Sequence, residues 1–270
     1  VFCMDNNIMK KKIKLILVLV LTLLTVLSST IVIFVSEKQN YVILQTSKQN
    51  VANSEGNENS NKIDNPELNA RIALIYDRAS GRIIYEKNGN KQTPMASTTK
   101  ILTAIVTLEN ADLKETVTIE SKAAGIGGSR LGLKKNDKIT VNDLLYGLML
   151  RSGNDAAVAL AIHVGGSIEG FADMMNKKAE ELGLTNSHFV VPHGLDNEGH
   201  YTTAYELAKM ADYALNIPKF KEIVSNKSAT IYINGYPKAI NNTNKLLGSV
   251  SGVYGVKTGF TNGAGRCLVS

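Results

Sequence analysis

Short β-rich runs stand at both ends of residues 70–270, and helical periodicity fills the interval between them, an order that few folds accommodate. The runs Arg71-Ile72-Ala73-Leu74-Ile75-Tyr76-Asp77 and Arg82-Ile83-Ile84-Tyr85-Glu86 flank Arg78-Ala79-Ser80-Gly81, a pairing that predicts a hairpin. After Pro94, the segment Met95 to Leu108 sets Ile101, Leu102, Ile105, Val106 and Leu108 on one helical stripe without a breaker, with Ser97 and Lys100 in its first turns. A second helical block runs from Val141 through Ala161, and a third, Phe171 to Leu182, carries Met174, Met175 and Ala179 on one side. Strand signals return at Ala229 to Ile233 and at Val253 to Val256. The expectation is an α+β fold in which an antiparallel sheet, built from the N- and C-terminal strands of the body, packs on helices and carries an inserted helical lobe.

What precedes the body divides by composition. Leu15 to Val35 contains no charge and is long enough to span a bilayer; Lys10, Lys11, Lys12 and Lys14 precede it, so residues 1–14 are expected to stay cytoplasmic and everything after Val35 to be exported. Ser28, Ser29 and Thr30 are followed by bulky Ile31-Val32-Ile33-Phe34, which favours a retained signal-anchor over a cleaved signal peptide. Residues 36–69, rich in Asn, Ser, Glu, Lys and Gln, cannot bury enough apolar surface to offset their ordering entropy, and they read as a polar linker. The formal charge of +6 owes four units to those flanking lysines, so the body is close to neutral and carries no footprint for nucleic acid. Cys3 and Cys267 are the only cysteines, one before the apolar run and one at the extreme end, so a disulfide framework is not expected.

Three polar constellations carry chemistry. In Ser97-Thr98-Thr99-Lys100 the serine and lysine share a helix face, and a lysine whose pKa is lowered by burial or by a neighbouring cation can take the serine proton. The helix start adds backbone N–H groups that can receive developing negative charge. Alone, this pattern is common by chance. In Arg151-Ser152-Gly153-Asn154-Asp155, a glycine-broken tip between two apolar blocks can present a hydroxyl and an amide to a cleft, although Ser, Asn and Asp are equally good helix caps. In Val256-Lys257-Thr258-Gly259-Phe260, at the end of an apolar strand, Gly259 permits close backbone approach, and Lys257 with Thr258 can bind a carboxylate.

Taken together, S-x-x-K, then S-x-N, then K-T-G resembles the signature of penicillin-binding proteins and serine β-lactamases. Gly153, where many members carry Asp, is similar to the low-molecular-mass D-alanyl-D-alanine carboxypeptidases, as are Pro94–Lys100, Leu144–Ala157, Pro192-His193-Gly194-Leu195 and Asn242–Leu247. The resemblance covers the body, 70–270. It implies an acyl-enzyme on Ser97 formed with a peptidoglycan stem peptide ending in D-Ala-D-Ala, or with a β-lactam antibiotic. Lys100 would be the base, Ser152 the proton relay, and Asn154, Lys257, Thr258 and Gly259 substrate-binding. Backbone N–H groups of Ser97 and Phe260 would form the oxyanion hole. It implies no metal and no cofactor, and an extracytoplasmic body in a bacterium, membrane-anchored or secreted.

His163, His188, His193 and His200 form no H-E-x-x-H pattern, so no metal is expected; His193 is read as shaping a loop beside the cleft. Gly127-Gly128-Ser129 lacks a following Gly-Lys and is read as a loop of the helical lobe. Gly265-Arg266-Cys267-Leu268-Val269 begins a strand after which the resemblance implies further strands and a closing helix. The acyl-transferase body is therefore expected to be incomplete at its C-terminal end, with an unpaired edge, and its activity in this form is left open. Two alternatives stand beside the carboxypeptidase: a serine β-lactamase, for which no convincing deacylating carboxylate loop is found, and a non-catalytic cell-wall-binding protein.

Overall fold

The computed structural model describes residues 66–270; the flank, apolar run and nearly all of the linker expected at 1–69 lie outside the described residues. Among the described residues no helix is long and apolar enough to cross a membrane. The body opens with the expected hairpin, β1 (Ala73–Asp77) and β2 (Arg82–Lys87). Gly81 supplies the positive φ of its turn (71°), and the Asp77 carboxylate accepts from the Ala79 N–H (3.1 Å) and the Ser80 hydroxyl.

A 3-10 turn, Ala96–Thr99, feeds helix α1, Lys100–Asn110. Every residue of α1 from Lys100 to Thr107 is buried, so this helix is enclosed rather than amphipathic. β3 (Thr116–Thr118) pairs with β4 (Lys138–Thr140), and the short α2 (Ser121–Ala124) lies between them in sequence. The helical block expected over 141–161 is two helices, α3 (Val141–Leu150) and α4 (Asn154–Gly165), broken at Arg151-Ser152-Gly153. α5 (Ile168–Glu181) follows and matches the third expected helix. Thr140 and Ser167 cap α3 and α5 by accepting from Asp143 N (3.1 Å) and Gly170 N (2.8 Å).

Two helices were not anticipated: α6 (Ala204–Leu215) and α7 (Pro218–Ser225). Their start signals are present nonetheless. Thr203 caps α6 with Glu206 three residues on, the spacing of a capping box, and Pro218 occupies the first turn of α7. α1 packs against α3, α4, α5, α6 and α7, and around it Phe171, Phe189 and Phe220 are wholly buried. Each such ring contributes roughly 1.5–3 kcal/mol of transfer free energy.

The chain then returns to strands: β5 (Ser228–Ile233) and β6 (Tyr236–Asn241) around Asn234-Gly235, both at positive φ, then β7 (Lys257–Thr261) and β8 (Gly265–Val269). The α+β class with antiparallel strands from both ends and a helical lobe between them is the observed one. Among the described residues, however, the strands hydrogen-bond as four two-stranded ladders and not as one continuous sheet. Ala73 and Leu74 of β1 and Leu268 and Val269 of β8 line a common groove of about 430 Å³. The strand expected at Val253 to Val256 is also displaced. Val253 N turns back to Val250 O (3.4 Å), and the Gly255 carbonyl is taken by Asn244 Nδ2 (2.6 Å) and Ser270 Oγ (2.9 Å), so pairing begins only at Val256 N, which donates to Val269 O (2.8 Å). Lys257-Thr258-Gly259 therefore opens its strand instead of ending one.

Candidate active site

The three sequence constellations meet at one place, where the 3-10 turn, the α3–α4 break and the start of β7 converge. Lys100 Nζ lies 2.9 Å from Ser97 Oγ, 2.8 Å from Asn154 Oδ1 and 2.6 Å from the His193 carbonyl. Lys100 is fully buried, Ser97 partly exposed. Burial lowers the Lys100 pKa well below the ordinary lysine value; the Lys257 charge lowers it further, and Asp155 opposes them. A neutral amine has two N–H groups and one lone pair. Asn154 Oδ1 and the His193 carbonyl accept the two N–H groups, which leaves the lone pair for the Ser97 hydroxyl proton.

The α3–α4 break is not a capping device. The N-cap of α4 is Gly153, and no side-chain hydrogen bond caps the helix. Asn154 instead bridges the site: Oδ1 to Lys100, and Nδ2 to the Gly127 carbonyl at 2.7 Å, while its backbone N donates to Ser129 O at 2.7 Å. The Gly127-Gly128-Ser129 loop of the helical lobe is thus a wall of the site, and a Cβ on Gly128 would stand 2.6 Å from Asn154 Nδ2. Ser152 is nearly buried at φ 61°, and its hydroxyl makes no side-chain hydrogen bond among the described residues. Asp155, wholly buried, accepts from the backbone N–H groups of Leu131 (2.9 Å), Gly132 (2.8 Å) and Leu133 (3.1 Å), fixing the same loop further along.

β7 closes against the turn that carries Ser97. A Cβ on Gly259 would lie 2.8 Å from Ser97 N and 3.1 Å from Ala96 Cβ, so only glycine lets the strand come this near. Thr258 Oγ1 is 2.7 Å from Thr243 Oγ1, and Lys257 Nζ donates to Thr258 O at 2.8 Å. Lys257 is 1% exposed, and burial pulls its pKa down to about 7. The Phe260 side chain points to solvent, 62% exposed, with Arg266 over its ring.

Motif spacing assigned no role at the site to the His193 carbonyl, which accepts from Lys100, or to Asp155, although Pro192-His193-Gly194 and the Arg151–Asp155 tip that contain them were both singled out. His193 and His200 are buried, with pKa values lowered to about 3 and about 4, first by burial, and no cluster of metal-ligating side chains occurs among the described residues.

Residues 59–270 match the family model described as peptidase S11, D-alanyl-D-alanine carboxypeptidase. The chain is 38% identical over 216 residues to D-alanyl-D-alanine carboxypeptidase DacF of Bacillus subtilis, covering 74% of this chain and 53% of the relative. It is 36% identical over 225 residues to a D-alanyl-D-alanine carboxypeptidase of Streptomyces sp. strain K15, with 77% of each covered. It spans about half the length of several relatives, 54% of DacC from Escherichia coli for example. Among solved structures, a mutant of the Streptomyces K15 DD-transpeptidase superposes with a TM-score of 0.72 at 36% identity, covering 76% of this chain and 85% of that one. The D-alanyl-D-alanine carboxypeptidase from Mycobacterium tuberculosis gives 0.71 at 34% identity, covering 74% and 76%. The chain belongs to the peptidase S11 family of D-alanyl-D-alanine carboxypeptidases.

Proposed function

We propose that this chain is the catalytic body of a serine-type D-Ala-D-Ala carboxypeptidase, which removes the terminal D-alanine from peptidoglycan stem peptides through an acyl-enzyme on Ser97 and is acylated there by penicillins. One observation carries the reading: a buried lysine with its pKa lowered lies 2.9 Å from the serine hydroxyl, while its other two contacts are acceptors for N–H.

Lys100 takes the Ser97 proton as Oγ bonds to the carbonyl carbon of the penultimate D-alanine. The oxyanion is held by the backbone N–H groups of Ser97 and Phe260. Collapse breaks the C–N bond, and the proton passes from Lys100 through the Ser152 hydroxyl to the leaving amine. Water then adds to the ester, releasing the shortened peptide as a carboxylic acid and restoring the serine. Asn154 holds Lys100 and the substrate amide; Lys257 and Thr258 anchor the terminal carboxylate, with Gly259 keeping the strand close.

The body is further proposed to work outside the cytoplasm, tethered by residues 36–69 to an anchor at 15–35. The cationic flank and the uncharged run support that placement. External protease on intact cells should remove the body while the anchor stays with membranes; protection of the body would refute the placement.

Intact mass after benzylpenicillin, with Ser97→Ala as control, tests the chemistry. A persistent adduct on the wild type alone, together with D-alanine released from a peptide ending in D-Ala-D-Ala, is expected. Rapid release of hydrolysed drug would replace the reading with a β-lactamase. Folded protein that neither labels nor releases D-alanine would replace it with a cell-wall-binding module.

A further inference from the structure

The nucleophile turn is held from behind by a second layer that the proposed chemistry does not use. Ala96, immediately before Ser97, sits at φ 49°, a left-handed conformation that a non-glycine residue keeps only when its surroundings impose it. Its carbonyl accepts from the Thr99 hydroxyl at 2.8 Å, and Thr99 Oγ1 lies 2.9 Å from His200 Nε2. The other ring nitrogen settles the roles. His200 Nδ1 is 3.0 Å from the Val190 backbone N–H, which can only donate, so Nδ1 carries the lone pair and Nε2 the proton. The chain of donors runs from His200 Nε2–H to Thr99 Oγ1, and from Thr99 O–H to Ala96 O. The ring is 5% exposed and set edge-on to Phe189 at 5.8 Å, so it has little freedom to turn.

We propose that His200 is a positioning residue for the nucleophile turn: its imidazole, protonated on Nε2 alone, makes Thr99 a donor to Ala96, and so fixes the backbone from which Ser97 projects. The role rests on the reading of Ser97 as nucleophile. It belongs to His200 because the Thr99 hydroxyl, rotating freely, could equally donate to a ring nitrogen; only the Nε2–H tautomer turns it towards Ala96. Burial, with His188 and Lys100 repelling a second proton and Asp196 opposing them, keeps the ring neutral down to about pH 4. His193, whose own ring accepts from Leu195 N at 3.1 Å, couples weakly to it.

The test uses the full chain, ¹⁵N-labelled on histidine, and His200→Asn, His200→Gln and Thr99→Val. Asparagine can still accept from Val190 N–H but does not reach Thr99; glutamine reaches Thr99 with an N–H. With benzylpenicillin, His200→Asn is expected to leave the non-covalent Kd unchanged and to lower the acylation rate constant about 10²-fold, as an ångström-scale misplacement does. His200→Gln should recover most of that loss. Thr99→Val should match His200→Asn, with no further loss in the double variant. The imidazole spectrum should show an unprotonated Nδ1 and a protonated Nε2 for His200. A proton on Nδ1, or a His200→Asn variant acylated at the wild-type rate, overturns the proposal. A wild type that takes no adduct overturns the carboxypeptidase reading and the kinetic role of His200 with it; a labelled wild type beside an equally fast His200→Asn overturns only the latter.

Discussion

Replacing Gly194 by alanine adds one methyl group at the point where the Pro192-His193-Gly194 loop meets the turn that carries Ser97. Gly194 has φ 80°, which costs an L-residue roughly 1–2 kcal/mol. The added carbon would stand 1.9 Å from Ala96 O and 2.6 Å from Thr99 Oγ1, where contacts under 3.0 Å essentially never occur. Loop or turn must therefore retreat by about an ångström, and overpacking of this kind costs typically 1–3 kcal/mol. The two contributions together predict a loss of about 2–5 kcal/mol, and at roughly 2–4 °C per kcal/mol for a body of this size the melting temperature should fall by about 4–20 °C. The same retreat moves either the His193 carbonyl off Lys100 Nζ or Ser97 out of line, so acylation by a chromogenic cephalosporin should slow by about 10²-fold at a temperature where the variant is still folded. Calorimetry and stopped-flow acylation measure the two effects separately. A variant that melts within about 1 kcal/mol of the wild type and acylates as fast would refute the reasoning, because the close approach would then not be a feature of the molecule.

Acylation should rise with pH to a plateau reached well below the ordinary lysine value, since the reactive Lys100 is the neutral one; Lys100→Arg should abolish it without unfolding the chain, as read by circular dichroism. Carboxylate affinity should run the other way, with the KM for a D-Ala-D-Ala peptide rising as pH passes above about 7 and Lys257 loses its charge, whereas an esterified peptide should show no such rise. Both lysines titrate lower in the folded chain than in the unfolded one. Between those values the unfolded chain binds more protons, so denaturant midpoints should climb from about pH 7 towards pH 10. Asp155→Asn should lower the acid limb of acylation further by removing the one group that favours charged Lys100, and should cost about 1–3 kcal/mol in a urea titration because an amide offers one acceptor oxygen where the carboxylate offers two. Phe171→Ala should cost about 3–5 kcal/mol without changing the acylation rate of the folded fraction, since the ring belongs to the hydrophobic core and is not among the hydrogen-bond partners of Lys100.

The residues proposed to perform chemistry were legible because such chemistry would fix their type and spacing: Ser97 and Lys100 one turn apart, Asn154 after a glycine break, and Gly259 where a strand must come near. The residues that hold them in place were not. Asp155 is met by backbone N–H groups at Leu131, Gly132 and Leu133, and His200, its tautomer fixed by the Val190 N–H, reaches Thr99 from 101 residues away, so neither leaves a local pattern to recognise. The left-handed backbone of Ala96 is invisible for the same reason, because nothing in the type of an alanine announces a positive φ. Val253 to Val256 misled through composition: the apolar run is real, but Asn244 and Ser270 occupy the carbonyl that a ladder would need. α6 and α7 carried ordinary start signals that went unread beside the stronger apolar stripes upstream.

In the proposed reaction, the buried charges around Lys100 confine the reactivity of the serine to the folded state. Two lysines and one aspartate share an interior where an unpaired ion is costly, and a Lys100–Asp155 ion pair would have been the simplest arrangement. Such a pair would hold Lys100 protonated and the site inert. Instead the Asp155 carboxylate is satisfied by three backbone N–H groups of the loop that also walls the cleft, and it ranks behind both burial and Lys257 in its effect on Lys100. Lys257 stands in the interior without an acidic partner among its described contacts, which is tolerable as a neutral amine and becomes favourable as a cation once a carboxylate arrives. On the proposed reading, arrival of a substrate carboxylate would draw a proton onto Lys257, whose charge would in turn make protonation of Lys100 harder at the moment its lone pair is needed. The two lysines would thus be coupled through the substrate, while the glycine at 259 keeps the strand that carries Lys257 close to Ser97.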